Sequence, residues 1–335
     1  MPTPEDPPIP EGVAAPGSRV PRHDLSPEAA LAPIEVQPAV LASPHPVAQV
    51  RARVLITGGA GMLASDLAPA LAAAGYEVYP RPRSDLDVTD PAAVARAFRD
   101  VRPQIVVNCA AFTRVDACET DPRARAVNAE AVATIAAECD RHGARLVQVS
   151  TDFVFDGLKG TPYLETDDPG PLSAYGRDKY AGEEAALRLP GSLVVRASWL
   201  FGRGGWNFIE AILKQAEQGK RELTVVDDQL GRPTSTTDLS EAIRALLAAG
   251  ATGTFHFANR GAVTWFEYAV EILNASGRSD VRVAPTTSAA LARPATRPAY
   301  SVLDTSKYES RIAQPIRHFR EPLVEYLAGR LRPEA

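Results

Sequence analysis

The sequence predicts an α/β fold, a parallel doubly wound sheet with a smaller C-terminal lobe, and three observations predict it. Short apolar runs recur at intervals that leave room for one helix between successive runs. The first of them, Arg53-Val-Leu-Ile-Thr57, ends in glycines, as a buried strand does before a tight turn. Beyond Phe201 the alternation loosens into helices separated by short strands and by Pro- and Arg-rich loops.

Taken in order, Gly58-Gly59-Ala60-Gly61-Met62-Leu63-Ala64 leads from the first strand into an alanine-rich helix running to about Ala74, with Gly75 a suitable stop. Tyr76 to Pro80 is the second strand. Asp90-Pro91 opens the next helix with a capping carboxylate and a proline at the first helical position. Ile105 to Asn108 is the third strand, and Asp121-Pro122 starts a long helix that ends near His142-Gly143. Arg145 to Ser150 is the fourth strand, Ser173 caps the helix carrying Tyr175 and Lys179, and Ser192 to Ala197 is the fifth strand. Helices are expected near 206–218, 236–248 and 264–276, the last opened by the capping box Thr264-Trp265-Phe266-Glu267.

Residues 1–50 differ from the rest. They hold 12 of the 29 prolines, show no helical or strand period, and predict a disordered Pro-rich tail. A signal peptide is not indicated, because no charged region precedes an apolar core. The 335 residues are 45% hydrophobic and 23% charged, a globular composition. A net charge of −5 without a dense basic run argues against nucleic acid as a partner. No apolar stretch approaches the ~20 residues that span a bilayer, so no membrane segment is expected. Cys109, Cys118 and Cys139 lack metal-ligand spacing and suit a reducing, cytoplasmic setting; the five scattered histidines add no metal site.

Gly58-x-x-Gly61-x-x-Ala64 follows a strand and opens a helix, the context in which glycines let a backbone approach a pyrophosphate. The helix N-terminus adds free N–H groups and positive dipole. At the end of the second strand an acid would bind ribose hydroxyls, whereas arginine accommodates a 2′-phosphate. The chain has Arg81-Pro82-Arg83-Ser84 there, which predicts NADPH, with NADH possible. Asp87-Val88 could reach the adenine. The small residues of Asn108-Cys109-Ala110-Ala111-Phe112 suit a backbone lying against the cofactor. Residues 51–200 are therefore read as a Rossmann-type NADP-binding core, and 201–335 mainly as a substrate-binding lobe interleaved with it.

Tyr175 and Lys179 stand four residues apart, on one helix face. An ammonium there favours the phenolate and is expected to lower the phenol's pKa, making it a better acid near neutrality. Ser150-Thr151-Asp152 precedes them.

Together these segments resemble the extended short-chain dehydrogenase/reductases, and within them the dTDP-4-dehydrorhamnose reductase family. The resemblance runs from about Val54 to Leu331. It is carried by Thr57 to Gly61, Asn108 to Asp116, Ser150 to Gly157, Tyr163 to Asp167, Pro171 to Lys179, Arg196 to Phe201, Asn207-Phe208, Asp228 to Thr234 and Arg297 to Asp304. It implies a catalytic set of Thr151, Tyr175 and Lys179, with NADPH reducing the C4 ketone of a dTDP-4-keto-6-deoxyhexose. Tyr175 would be the proton donor and Thr151 a second hydrogen bond to the same oxygen, while Lys179 would also hold the nicotinamide ribose. The resemblance further implies that Gly61, Met62, Leu63, Asp87, Val88, Ala111, Phe112 and Thr113 line the cofactor, as Gly58, Arg81 and Ala110 do in the reading above. Thr151, Asp152, Trp199 and Asn207 would meet the sugar, Arg232 and Arg297 the diphosphate, and Asn128 would brace the site.

Relatives with magnesium at a dimer interface use a carboxylate cluster. Here Asp66 and Asp238 could serve, but Ser306 stands where a third acid would be wanted, so magnesium is doubtful and the chain is read as monomer or homodimer. Two other readings stay open. One is a nucleotide-sugar epimerase or dehydratase, against which Ser150 to Phe153 offers a single acid. The other is a non-catalytic regulatory subunit like that of methionine adenosyltransferase.

Overall fold

The computed structural model describes residues 51–330, so the Pro-rich segment read as a tail lies outside the described residues. The centre is a six-stranded, wholly parallel sheet of β1 (Arg53–Thr57), β2 (Glu77–Arg81), β3 (Ile105–Asn108), β4 (Arg145–Thr151), β5 (Leu193–Ala197) and β6 (Gly253–His256). Their order is β2-β1-β3-β4-β5-β6. The chain leaves β1 for β2 on one side and returns to β3 on the other. That reversal opens a crevice at the carboxyl ends of β1 and β3, where ligands bind in such sheets.

Alternate residues of each strand feed opposite faces. Val54, Ile56, Val107, Val147 and Val195 pack on α1 (Met62–Ala73), through Leu67 and Leu71. Leu55, Val106, Leu146 and Val194 face the other way, against α2 (Pro91–Val101) and α3 (Ala131–His142), through Phe98 and Ile135. The helix carrying Tyr175 and Lys179, α4 (Ala174–Leu187), adds Ala186 to that second face. In the C-terminal half, α5 (Phe208–Glu217), α7 (Trp265–Ala275) and α8 (Arg320–Arg330) close a third core around Ile209, Tyr268 and Phe319. Between α5 and α7 runs α6 (Thr236–Ala248), which places Leu239 and Ile243 on the first face of the sheet.

The caps at Asp90, Ser173 and Thr264 form as expected, the last with both bonds of a capping box. Three features differ from the expectation. The second strand begins and ends one residue later, at Glu77 and Arg81. The long helix opens with an α turn over Arg123–Arg125 and then passes through a π turn over Ala126–Glu130. The sheet gains β6 from the C-terminal half, paired through Phe255 and Val195. The described residues 51–330 thus cluster as one compact unit.

Candidate active site

The glycine turn is clamped between two strand ends. Gly58 has φ 65°, and a Cβ there would stand 2.8 Å from the Ala110 nitrogen at the end of β3. The Gly59 N–H donates to the Arg81 carbonyl at 2.8 Å, and a Cβ would lie 2.6 Å from the Arg81 nitrogen. Gly61 is the N-cap of α1 and brings no side chain to its first-turn amides, which leaves those donors for an anion. This cradle fits a dinucleotide pyrophosphate. Met62 lies at its rim, whereas Leu63 turns into the core. Asp87 accepts from the Thr89 N–H and hydroxyl at 3.0 and 2.6 Å, which hold its carboxyl below the usual range, and it meets Arg83 at 3.4 Å. Val88 is a buried core residue.

A line of buried hydrogen bonds joins this turn to α4. The Thr57 hydroxyl donates to Asn108 Oδ1 (2.5 Å), Asn108 Nδ2 to Gln148 Oε1 (2.7 Å), and Gln148 Nε2 to the Val149 carbonyl (2.8 Å). Lys179 Nζ donates to the same carbonyl at 2.7 Å. Strand register makes this possible: Thr57 is opposite Asn108, and Asn108 opposite Gln148. Sequence reading passed over Gln148, because a polar residue inside an apolar run carries no pattern of its own.

Thr151 ends β4, buried, and its hydroxyl donates to Asp152 Oδ1 at 3.0 Å while accepting the Phe153 N–H at 3.2 Å. Ser173 starts α4 by accepting the Gly176 N–H at 3.2 Å, which sets Tyr175 and Lys179 on their helix. The ring of Tyr175 packs edge-on against Phe153, centroids 5.6 Å apart. Its pKa moves opposite to the expectation. Burial pushes the phenol above its ordinary value, a hydrogen bond with Thr151 offsets part of this, and the Asp152 carboxyl opposes ionisation further. Lys179 does not offset this: its ammonium is buried against Val149, and its own pKa is pushed down to about 8, by burial first. Asp152 is 1% exposed, and burial raises its pKa to about 6. The Ser301 and Thr151 hydroxyls both favour its anion, yet Oδ2 makes no hydrogen bond among the described residues.

Ala110, Ala111, Phe112 and Thr113 follow β3 as a loop pinned from behind. Asn128, on the π turn, accepts the Phe112 N–H at 2.9 Å and donates to the Phe112 carbonyl at 3.0 Å. Trp199 takes a left-handed backbone, φ 47°, and stacks on Trp265 with centroids 3.5 Å apart and planes within 7°. Only glycine fits beside it at 231, where a Cβ would stand 2.4 Å from the indole. The structure brings Asn207 to the cofactor turn: its Nδ2 lies 3.8 Å from Met62 Sδ and 3.1 Å from the Gly202 carbonyl, and its Oδ1 caps α5. Arg232 is half-buried, donating to the Leu303 carbonyl at 3.0 Å with its Nε unpaired among the described residues. Arg297 is not a free cation. Asp116 grips it at 2.9 and 3.1 Å, and that guanidinium holds the Asp116 carboxyl low.

The carboxylates considered for magnesium are occupied by protein donors. Asp66 accepts from Thr236 and Thr237 at 2.5 and 3.1 Å, and Asp238 pairs with Arg317 at 2.8 Å. The Ser306 N–H donates to Asp304 Oδ1 at 2.9 Å, at the start of the helix Ser306–Ile312. This donor set does not suit the ion, and no cluster of three metal-ligating side chains occurs among the described residues.

Comparison with known proteins decides the family. The model described as RmlD substrate binding domain matches residues 52–331. A dTDP-4-dehydrorhamnose reductase of Streptomyces griseus is 45% identical over 291 residues, 84% of this chain and 94% of that protein. The chain belongs to the dTDP-4-dehydrorhamnose reductase family. A crystal structure of that reductase from Bacillus anthracis, in complex with NADP, superposes with a TM-score of 0.80 at 33% identity, covering 83% of this chain and 99% of that one. A probable dTDP-4,6-dihydroxy-2-methyloxan-3-one 4-ketoreductase of Streptomyces antibioticus is 44% identical over 82% of this chain and 94% of its own length. As a member of this reductase family the protein is an NADP-dependent oxidoreductase. Among the described residues no helix is long and apolar enough to cross a membrane.

Proposed function

We propose that the protein reduces the C4 ketone of dTDP-4-dehydro-L-rhamnose to give dTDP-L-rhamnose, a nucleotide sugar for cell-surface polysaccharide. The observation that carries this is the meeting of Thr151, Tyr175 and Lys179 at the carboxyl end of β4, joined by buried hydrogen bonds to the glycine turn. NADPH, when bound, supplies the hydride. Held against Phe153 and Thr151, Tyr175 stays protonated through the neutral range because its surroundings disfavour the phenolate. It gives that proton up only as negative charge grows on the ketone oxygen, where the Thr151 hydroxyl, turned from Asp152, supplies a second hydrogen bond. The Lys179 ammonium, one turn along and docked on the Val149 carbonyl, would hold the nicotinamide ribose. Asp152, whose Oδ2 has no hydrogen-bond partner among the described residues, would accept a sugar hydroxyl. Trp199 offers a flat face fixed by Trp265.

A second substrate reading, another dTDP-4-ketosugar, is favoured by the near-equal identity to the Streptomyces antibioticus ketoreductase. Three unpaired cysteines suit catalysis in the cytoplasm, by a monomer or homodimer. NADPH oxidation across a panel of dTDP-4-ketosugars, with product stereochemistry, tests the reading. Turnover confined to dTDP-4-dehydro-L-rhamnose is expected; none with any member of the panel overturns it.

A further inference from the structure

Glu183 lies one turn beyond Lys179 on α4, and the two side chains are 0% and 3% exposed. Residues at this spacing share a helix face. The only hydrogen-bond acceptor of Lys179 among the described residues is the Val149 carbonyl, which is neutral, so a carboxylate must balance the ammonium. The charged groups around α4 leave one candidate. Asp178 pairs with Arg125 at 3.4 Å, Arg125 also reaches Glu130 at 3.5 Å, and Arg177 faces Glu119 at 3.8 Å. Asp152 acts on Tyr175. From the end of β3 the Cys109 thiol approaches, but burial pushes it up to about 12 and keeps it neutral.

Glu183 is itself shared. Arg196 on β5 grips both its oxygens, Nε at 2.9 and 3.1 Å and Nη2 at 2.7 Å. The far side of that guanidinium meets His256 on β6 at 3.4 Å, and burial holds His256 neutral, its pKa pushed down to about 3. Three charges are therefore sealed behind the site, two positive and one negative.

We infer that Glu183 is a positioning residue for the reduction: its carboxylate is the counter-ion that keeps Lys179 charged and docked on the Val149 carbonyl, and Arg196 limits how much of that carboxylate the lysine receives. The inference rests on the proposed function only in taking Lys179 as catalytic. Glu183 already opposes the effect of burial on Lys179. Removing the carboxylate leaves two buried cations, of which only the lysine can give up a proton.

The test titrates Lys179 directly, by the side-chain nitrogen signal of the full chain labelled with ¹⁵N-lysine, assigned by its loss in Lys179→Met. Glu183→Gln is expected to lower the Lys179 midpoint by about 1 unit or more. The double variant Glu183→Gln with Arg196→Met removes both charges, leaves no orphaned guanidinium, and is expected to lower it by less. In wild type and variants alike the alkaline limb of kcat/KM should follow the lysine. An unmoved midpoint in either variant overturns the inference, as does failure of both to fold, since Glu183 is then a folding determinant only. A midpoint that moves in a chain oxidising no NADPH supports the counter-ion and sinks the proposed substrate instead.

Discussion

Asp152 is expected to weaken the fold it sits in, by an amount that depends on pH. In the unfolded chain its carboxyl titrates near 3.8, and in the folded protein burial raises that to about 6. Below the lower value both states hold the proton and nothing is lost. Between the two the unfolded chain ionises first, so stability falls as pH rises; above the upper value the loss is complete. The gap, 6 − 3.8, is about 2.2 units, or about 3 kcal/mol at 1.36 kcal/mol per unit. Asp152→Asn has no charge to bury, so near pH 7 it should be more stable than the parent by up to about 3 kcal/mol, with no advantage below about pH 4. Urea midpoints across that pH range measure it. A difference independent of pH, or a variant less stable at neutrality, would refute the reasoning, because the carboxylate would then be fully satisfied in the folded state. The same variant should bind the sugar less well, a trade common where a site keeps an uncompensated group for its ligand.

Asn128→Ala removes both hydrogen bonds to Phe112, about 1–3 kcal/mol together, and should weaken NADPH binding about 5- to 150-fold by fluorescence titration; unchanged affinity would mean the loop holds its shape alone. Gly182→Ala puts a methyl 2.3 Å from the Asn128 carbonyl and should cost about 1–3 kcal/mol in a denaturant melt; a raised midpoint, as helix propensity alone would give, would contradict that packing. Trp265→Ala strips the stacked partner from Trp199 and should abolish their coupled circular-dichroism signal and raise the sugar KM about 2- to 10-fold at constant NADPH affinity; a persisting signal with unchanged KM would show that Trp199 needs no support.

Much of this was legible before any coordinates. Arg53–Thr57, Ile105–Asn108 and Arg145–Thr151 announced themselves because strands buried on both faces are apolar throughout. Asp90, Ser173 and Thr264 did so because capping is a local matter of one side chain and the next amides. What escaped was non-local. Gly253–His256 is too short to declare its partner, and it joins the sheet only because Leu193–Arg196 offers a free edge. The pairing of Arg297 with Asp116 crosses 181 positions, so the guanidinium looked available from sequence. Tyr175 shows the same limit in energy: its spacing from Lys179 was plain, but burial, which dominates the phenol's pKa, is a property of everything folded around it.

The most direct test of the account is single-turnover reduction by Tyr175→Phe, with NADPH affinity measured in parallel. The account predicts a rate lower by at least about 10²-fold with cofactor affinity intact. A rate within a few-fold of the parent would contradict it, since the proton would then come from elsewhere.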